Sequence, residues 1–262
     1  MTGLAGNIGR KTIESANYFL QVFAFTWRMF ALLFHRDKNG RSLIRRTTAE
    51  QVYFTAIQAL PLVILVALVA GSAVIVKAAA FSGQIEDPSM LSDLAVILII
   101  RETGPFFVAI IVILRSALAV TIETGYMTIL KEVDAIEMMG IDPARLICVP
   151  RLLGITISML CLFIVFDTAA IFGGYAVAWT ATSIPLDNFL GGIGKSVTTT
   201  DIVVPIIKGL LFGVTIAANC LYRGLNVKHA ITEIPPACSK AGVQSFLFCF
   251  LINGCISVLF YL

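Results

Sequence analysis

The 262-residue sequence has little charge, since Asp, Glu, Lys and Arg make up only 13% of it while apolar residues make up 58%. Soluble domains carry about 25% charged residues, so this chain could not cover a water-facing surface. Its mean hydropathy of +0.92 predicts a membrane protein. The length allows about five or six spans of roughly 20 residues each and leaves no room for a separate soluble catalytic domain.

Metal-binding and nucleophilic patterns are also scarce. The six cysteines form no C-x-x-C pair, and the two histidines, His35 and His229, lie far apart in the chain, so neither a zinc site, a disulfide framework nor a catalytic dyad is indicated. The net charge of +3 is too small and too dispersed for a nucleic-acid surface. We expect no catalytic residue, no metal, no cofactor and no nucleic-acid partner.

Five strongly apolar segments predict five membrane helices and an all-α integral membrane protein. They are approximately Val52–Ala80, Leu94–Tyr126, Leu146–Thr182, Ile202–Tyr222 and Val243–Leu262. They predict a single membrane domain, 1–262, which consists of an N-terminal part, 1–49, and a five-span bundle, 50–262.

Basic residues are distributed unevenly between the two sides of this predicted bundle. They concentrate in residues 1–50 and in the second and fourth loops, whereas the first and third loops carry only Lys77 and Lys195. The positive-inside rule then predicts a cytoplasmic N-terminus, five crossings and a C-terminus on the outer side.

The first apolar segment, Tyr18–Phe34, carries a regular polar stripe. Glu14, Gln21, Arg28 and His35 recur every seven residues, and such a repeat drifts by only about 20° per step around a helix. A cluster of basic residues follows directly. We interpret the segment as an amphipathic helix half sunk in the cytoplasmic leaflet. A sixth span with its stripe facing the bundle is the alternative.

The loop between the second and third predicted spans has the pattern of a short amphipathic helix. Val133, Ile136 and Met139 recur at helical spacing, Gly140 suits a helix C-cap, and Pro143 prevents continuation. Held outside the membrane, the apolar face of such a helix suits a groove on a partner protein. Packing against the membrane or against its own bundle is an equal alternative.

Two ionisable residues lie at similar depth in different predicted spans. Glu102 and Lys208 are both about 10 Å from the outer end of their helices, at 1.5 Å per residue. Because charges are costly in hydrocarbon, we expect them to line one outward-opening lipid cavity, paired directly or bridged through a headgroup. A purely structural ion pair is the alternative.

Three further ionisable residues belong to the same region of the predicted bundle. Arg101 is counted with the cavity, although it lies about 100° around the helix from Glu102 and is expected to contact backbone or an outer partner. Asp167 is expected either to accept a hydrogen bond or to pair with a basic residue such as Lys77. Gly104-Pro105 should break the helix beneath Glu102, since proline removes a donor.

Several short motifs follow one another through the middle of the chain. They are Arg101-Glu102-Thr103-Gly104-Pro105, Arg115-Ser116-Ala117, Glu123-Thr124-Gly125-Tyr126-Met127, the loop from Glu132 to Pro143, and Pro150-Arg151. Their order and spacing resemble the MlaE/YrbE permease family, the membrane subunits of MCE-associated ABC lipid transporters. The resemblance covers roughly residues 50–220.

The resemblance implies a fold, partners and a function. Each subunit of a homodimer would have one interfacial helix and five spans, and an MCE-domain protein would sit on its outer face. The assembly would move phospholipids or related lipids between the bacterial inner membrane and the outer envelope, with ATP bound by a separate cytoplasmic ABC ATPase. It leaves open a small cytoplasmic accessory subunit. The coupling helix that docks on the ATPase would consist of Lys131, Glu132, Val133, Asp134, Ala135, Ile136, Glu137, Met138, Met139 and Gly140.

Some positions depart from the family pattern and predict a different substrate preference. A proline-containing stretch, Thr232–Lys240, replaces a glycine-rich one, Lys77 replaces a glutamine, and Asn253 stands where an acidic residue is common. Arg115 and Glu123, near the cytoplasmic end of the second span, are interpreted as structural supports of the coupling helix.

Two further motifs have ordinary explanations. The stretch Gly191–Ser196 resembles a P-loop, but Phe189 occupies the position of its first glycine and the topology places it outside the cell, so it should not bind ATP. The pattern Gly209-x-x-x-Gly213 suits close helix packing and is compatible with a dimer.

One alternative function lies within transport, and two come from other classes. Asp134-Ala135 followed by Gly140 is also similar to the coupling loop of binding-protein-dependent ABC importers, although Pro150 lies closer to the glycine than is usual there. An integral-membrane lipid-modifying enzyme is less favoured, because no nucleophile has an adjacent base. A structural scaffold for envelope proteins would lack ATPase coupling.

Overall fold

The computed structural model describes residues 2–34, 41–82, 96–182, 191, 194, 197–227 and 230–261. Its longer elements in these ranges are all helices: α1 (Thr2–Phe34), α2 (Arg41–Thr55), α3 (Leu60–Ser82), α4 (Gly104–Val112), α5 (Leu118–Ile129), α6 (Glu132–Met138), α7 (Val149–Thr182), α8 (Thr199–Leu225) and α9 (Ile234–Tyr261). Short π-helical segments at Val96–Thr103, Ile113–Ala117 and Ala144–Cys148 and 3-10 turns at Ile57–Ala59 and Ile231–Glu233 each run directly into the helix that follows.

Five of the described stretches are long and apolar enough to cross a membrane, which confirms the predicted all-α, five-span class. Spans one to five are Ser42–Val74, Ile99–Ile129, Ala144–Ala176, Thr199–Leu225 and Ile231–Phe260. Helix α1 is not one of the five, and its position at the membrane interface stays a prediction.

The first and last spans begin earlier than the sequence predicted. Span one starts at Ser42 rather than Val52, and span five at Ile231 rather than Val243. A helix ends where its hydrogen bonds end, and it can continue beyond its apolar part into polar residues. Pro235 lies in the first turn of α9, where a missing N–H costs nothing because first-turn donors have no partner within the helix.

Prolines account for two of the irregular joints. Pro61 has no N–H to donate to the carbonyl of Ile57. The N–H of Leu60 is shared between that carbonyl and the carbonyl of Ala56, which tightens the turn between α2 and α3. In the same way Pro105 offers no α-helical donor to the carbonyl of Arg101, at the end of a π-helical segment. The predicted break at Gly104-Pro105 is therefore confirmed as a change of helix type.

Span three lies at the centre of the bundle. Its helix α7 contacts spans one, two and four, and its inward face is fully buried. In spans two and four 56% of the most apolar window is buried, against 17% in span five. Span five therefore presents most of its apolar surface outward. The fully buried side chains of α7 include Ile155, Met159, Leu162 and Phe166.

The two glycines of the G-x-x-x-G pattern lie at a close contact between two spans of the same chain. A methyl group on Gly213 would lie 2.6 Å from the Cα of Thr156, and one on Gly209 would lie 2.8 Å from the ring of Phe163. Both contacts are with span three, so the absent side chains let spans three and four approach closely. The pattern is explained by packing within the chain rather than by a dimer.

Candidate functional site

The ammonium group of Lys208 is the centre of a polar cluster between spans two, four and five. The lysine is fully buried, and its Nζ donates to the carbonyl oxygen of Arg101 at 2.8 Å and to Ser257 Oγ at 2.8 Å. Its ion pair with Glu102 Oε1 measures 3.4 Å. The carbonyl of Arg101 is the one that Pro105 leaves without an α-helical donor, so the helix break supplies an acceptor for the lysine.

The carboxylate of Glu102 accepts hydrogen bonds from two side chains of span five. Ser257 Oγ donates to Oε1 at 2.5 Å and Asn253 Nδ2 donates to Oε2 at 2.7 Å. The side chain of Glu102 is nevertheless 39% exposed, whereas that of Lys208 is 0% exposed. The acid is therefore the member of this pair that the chain presents to its surroundings.

A second ion pair lies beside the first. Arg101 Nη2 donates to Asp201 Oδ2 at 3.1 Å, and the carboxylate of Asp201 is fully buried. The backbone N–H and the hydroxyl of Thr198 also donate to Asp201, at 2.9 and 2.8 Å, which forms the capping box of α8. Arg101 thus pairs with an acid of span four.

Sequence reasoning found part of this cluster, which comprises Arg101, Glu102, Asp201, Lys208, Asn253 and Ser257. It matched the depths of Glu102 and Lys208, and the structure brings the two together; their role in a lipid cavity stays a prediction. It missed Asp201, which lies one residue before the predicted span, although Thr198-x-x-Asp201 is a capping-box pattern. It also missed Ser257, whose spacing of four from Asn253 places both on one helix face.

The structure places the carboxylate of Asp167 against span two. Its Oδ1 atom is buried without a hydrogen-bond partner among the described residues, and no ion pair joins it to Lys77 among the side chains that the structure describes. The carboxylate lies against Gly104, where a methyl group would have no space. Span three therefore touches the helix break beneath Glu102.

The loop between spans two and three contains the expected short helix, α6. Gly140 has a φ of +77°, and the N–H groups of Gly140 and Ile141 bond to the carbonyls of Glu137 and Ile136. This pattern is a Schellman C-cap, for which glycine is favoured. The predicted C-cap at Gly140 is confirmed.

The apolar residues of α6 divide between two environments. Val133 and Ile136 are half-buried and pack against the core of the bundle. Met138 and Met139 are 82% and 67% exposed. The helix therefore anchors one apolar edge on its own chain and leaves a second edge uncovered.

Ion pairs and hydrogen bonds brace the base of this loop. Arg151, at the start of span three, is buried and pairs with Glu123 of span two at 2.7 Å, and its guanidinium also donates to Thr124 Oγ1 at 3.0 Å. Glu123 thus joins the two spans that flank the loop, and its support of the coupling helix stays a prediction. Arg115 donates to the carbonyl of Phe54, in span one, at 2.9 Å.

A second polar cluster lies near the end of span four that adjoins the loop. Asn219 is fully buried; its Nδ2 donates to the carbonyl of Ala241 at 2.9 Å and to Ser245 Oγ at 2.8 Å, and its Oδ1 accepts from the hydroxyl of Tyr18. Arg223 stacks on the Tyr18 ring with its Cζ 4.1 Å from the centroid. These contacts fasten α1 to spans four and five.

Burial raises the pKa of the Tyr18 hydroxyl to about 12, although Arg223 opposes the shift. The hydroxyl therefore remains protonated, and available to donate to Asn219, throughout the physiological pH range. Helix α1 also reaches the loop, because Arg28 pairs with Asp142 at 3.7 Å on the surface. One helix is thereby attached to both span four and the loop.

A shallow apolar groove of about 700 Å³ lies between spans two and five, on the half of the bundle that carries the loop. Its lining residues include Leu118, Ile122, Tyr126, Pro235 and Cys238. The groove contains no charged side chain, in contrast to the Lys208 cluster. Within the part of the chain that the structure describes, no group of three His, Cys, Asp or Glu residues could hold a metal ion.

The P-loop-like stretch Gly191–Ser196 falls mostly outside the described residues. The same holds for His229 and for Lys195 of the predicted third loop.

Comparison with known proteins gives the family of this chain. The family model described as Permease MlaE matches residues 48–259. A protein of Haemophilus influenzae named "Intermembrane phospholipid transport system permease protein MlaE" is 26% identical over 212 residues, which is 79% of this chain and 81% of the relative. A "Probable ABC transporter permease protein" of Rickettsia felis is 24% identical over all of this chain and 99% of its own length.

A more distant relative is the Arabidopsis thaliana protein named TRIGALACTOSYLDIACYLGLYCEROL 1, chloroplastic, which is 21% identical over 62% of this chain and 46% of its own length. The family model covers most of span one and nearly all of the other four spans, together with the Lys208 cluster and the loop helix. This chain is therefore a multi-pass membrane protein that belongs to the MlaE family of ABC transporter permeases.

Proposed function

We propose that this chain is the permease subunit of a transporter that moves phospholipids or related lipids between the bacterial inner membrane and the outer envelope. A separate ABC ATPase would hydrolyse the ATP, so the chain itself would catalyse no reaction and bind no cofactor. The observation that carries the proposal is α6, a short capped helix that projects between two spans with Met138 and Met139 uncovered. A helix with an uncovered apolar edge suits a groove on a partner protein.

The remaining parts of the assembly follow from the same proposal. The segment Lys131–Gly140 is the coupling helix, and it faces the cytoplasm together with the N-terminus. The C-terminus and the Lys208 cluster then lie toward the periplasm. Two copies of the chain form a homodimer, with an MCE-domain protein on the outer face, and Glu102, Lys208 and Arg101 line the lipid cavity.

The mechanism would be a movement of helices rather than a chemical step. Closure of the ATPase dimer would displace α6, and the braced base of the loop, Glu123 with Arg151, would pass this displacement to spans two and three. Packed helices switch between discrete arrangements rather than deforming continuously. Such a switch would change the access of lipid to the cavity near Glu102.

Purification of the tagged chain from its native membranes, followed by native mass spectrometry, tests the assembly. We expect two copies of the chain with two ATPase subunits, an MCE-domain oligomer and bound phospholipid. A chain that purifies without either protein partner would contradict the proposal and would favour a scaffold or an enzyme.

Variants of α6 test the docking surface. Replacing both Met138 and Met139 by Asp should remove the ATPase from the purified complex, because burying two carboxylates in an apolar groove is costly. Glu50→Gln, at an exposed ion pair with Arg46 outside this helix, is the control and should keep the ATPase. Equal retention by the double variant would mean that α6 is not the coupling helix.

A further inference from the structure

The ammonium of Lys208 has its hydrogens engaged by the protein. Among the described residues, three acceptors surround it: the Arg101 carbonyl oxygen, Ser257 Oγ and Glu102 Oε1, at 2.8, 2.8 and 3.4 Å. A lysine ammonium has three donors, and this one is fully buried. The lysine is therefore not placed to bind a phosphate from outside the chain.

The charges of the cluster also cancel within the chain. Lys208 faces Glu102, and Arg101 faces Asp201, whose carboxylate also receives two bonds from Thr198. Among the described residues, the two cations and two anions of the cluster balance, which leaves no excess positive charge there to attract an anionic group.

Hydrogen-bond acceptors of the cluster, in contrast, remain available to a ligand. The Glu102 side chain is 39% exposed, and of its two oxygens Oε2 accepts only from Asn253 among the described residues. The amide of Asn253 is oriented by that contact, since a carboxylate cannot donate, and its Oδ1 is left buried without a partner in the described part of the chain. A buried acceptor without a donor is destabilising, and a donor brought by a ligand would relieve it.

We propose that the Lys208 cluster selects lipids whose headgroup donates hydrogen bonds from a cationic group, as the primary ammonium of an ethanolamine headgroup does. The contact is made by Glu102, with Asn253 beside it, and not by Lys208. This inference rests on the proposed function and adds the headgroup chemistry to it.

Three common headgroups separate the contribution of positive charge from that of hydrogen-bond donors. A phosphatidylethanolamine ammonium carries positive charge and three donors. A phosphatidylcholine headgroup carries the same charge with no donor, and a phosphatidylglycerol headgroup has hydroxyl donors but a net negative charge. The acceptor-rich, neutral cluster should therefore prefer the first lipid to both others.

Lipid uptake from an equimolar mixture tests the proposal. The purified transporter, with its partner subunits, is reconstituted with phosphatidylethanolamine, phosphatidylcholine and phosphatidylglycerol that have identical acyl chains, and the lipids retained after delipidating washes are measured by mass spectrometry. We expect phosphatidylethanolamine to be enriched about tenfold over phosphatidylcholine, the ratio for one charge-assisted hydrogen bond.

The outcomes separate this inference from the proposed function. Equal retention of the three lipids, or enrichment of phosphatidylglycerol, would overturn the headgroup selection while leaving lipid transport in place. Retention of no lipid by the intact assembly would overturn both.

A double variant assigns the selection to the carboxylate. Glu102→Gln combined with Lys208→Met removes both charges and keeps the side-chain lengths, so no unpaired charge remains in the membrane. It should retain lipid and lose the enrichment. Glu50→Gln, the same change at an exposed ion pair with Arg46 in span one, is the control and should keep the enrichment. Selection that survives in the double variant would contradict the role of Glu102, and if the double variant fails to fold, the wild-type ratios alone still decide the proposal.

Discussion

Span four carries a polar cluster near each end, and the two clusters differ in how completely their polar atoms are matched. At the loop end, Asn219 is fully buried, and its amide oxygen and both amide hydrogens have partners. At the other end, Glu102 is partly exposed and Asn253 Oδ1 has no partner among the described residues.

This difference separates a structural network from a candidate binding site. A polar network whose atoms are all satisfied fixes the positions of the helices that it joins. A cluster that keeps an exposed carboxylate and an acceptor without a partner has hydrogen-bonding capacity that the fold does not use. By this criterion the Asn219 cluster holds α1 in place, and the Lys208 cluster has the unused hydrogen-bonding capacity that the proposed lipid site requires.

The largest effect is expected from breaking the Lys208 cluster. Lys208→Ala leaves Glu102 without its cation and should lower the free energy of unfolding by about 3 kcal/mol. Thermal unfolding in detergent measures the change. The Glu102→Gln, Lys208→Met pair should be less destabilised than Lys208→Ala alone, and the opposite order would show that the ion pair is not the main contribution.

A somewhat smaller loss of stability is expected from a change in the Asn219 cluster. Asn219→Ala leaves the Tyr18 hydroxyl and Ser245 without partners and should cost about 2 kcal/mol. Hydrogen exchange should increase in α1, while the lipid headgroup ratio stays unchanged. Asn226→Ala, which removes only an exposed bond to the carbonyl of Tyr222, is the control. Altered headgroup selection in the Asn219 variant would contradict the division of roles.

The segment between the clusters can be tested at Gly213. A methyl group there would meet the backbone of Thr156, so Gly213→Ala should destabilise the protein by about 1–2 kcal/mol through overpacking. Gly254→Ala is the matched control, because no atom lies within 4 Å of the added methyl, and it should be neutral or slightly stabilising. Equal thermal stability of the two variants would contradict the close contact of spans three and four.

A further effect concerns pH and appears only at alkaline pH. Burial raises the pKa of Tyr18 from 10.0 to about 12, with Arg223 opposing and Tyr222 and Cys220 adding slightly to the shift. Below pH 10 the hydroxyl is protonated in both states and contributes no pH dependence. Between pH 10 and 12 the unfolded chain loses this proton first, so stability should fall. Over this range the free energy of unfolding of Tyr18→Phe should fall less steeply with pH than that of the wild type. Parallel curves would contradict the raised pKa of Tyr18.

The sequence was sufficient for the features that depend on pattern. The five spans follow from the apolar segments, and the C-cap of α6 follows from Gly140 and its spacing. The shared depth of Glu102 and Lys208 could be calculated because helical rise is constant.

Other features depend on contacts between distant segments. Residues 101 and 201 are a hundred positions apart, so the choice of Asp201 as the partner of Arg101 is made by how spans two and four pack. The division of α6 between a packed edge and an exposed edge is of the same kind, because periodicity gives a helix its apolar face but does not say how much of the bundle covers it. Likewise, the position of Arg115 on span two could not indicate that its hydrogen-bond partner lies in span one.

The ion pairs between spans two and four also constrain how the chain enters the bilayer. A charged side chain is costly to place in the hydrocarbon of a membrane. Span two brings Arg101 and Glu102 to the membrane during synthesis, and their partners Asp201 and Lys208 follow only about a hundred residues later. Span two should therefore stay beside the insertion machinery until span four emerges, so that the two helices pass into lipid together as a neutral pair.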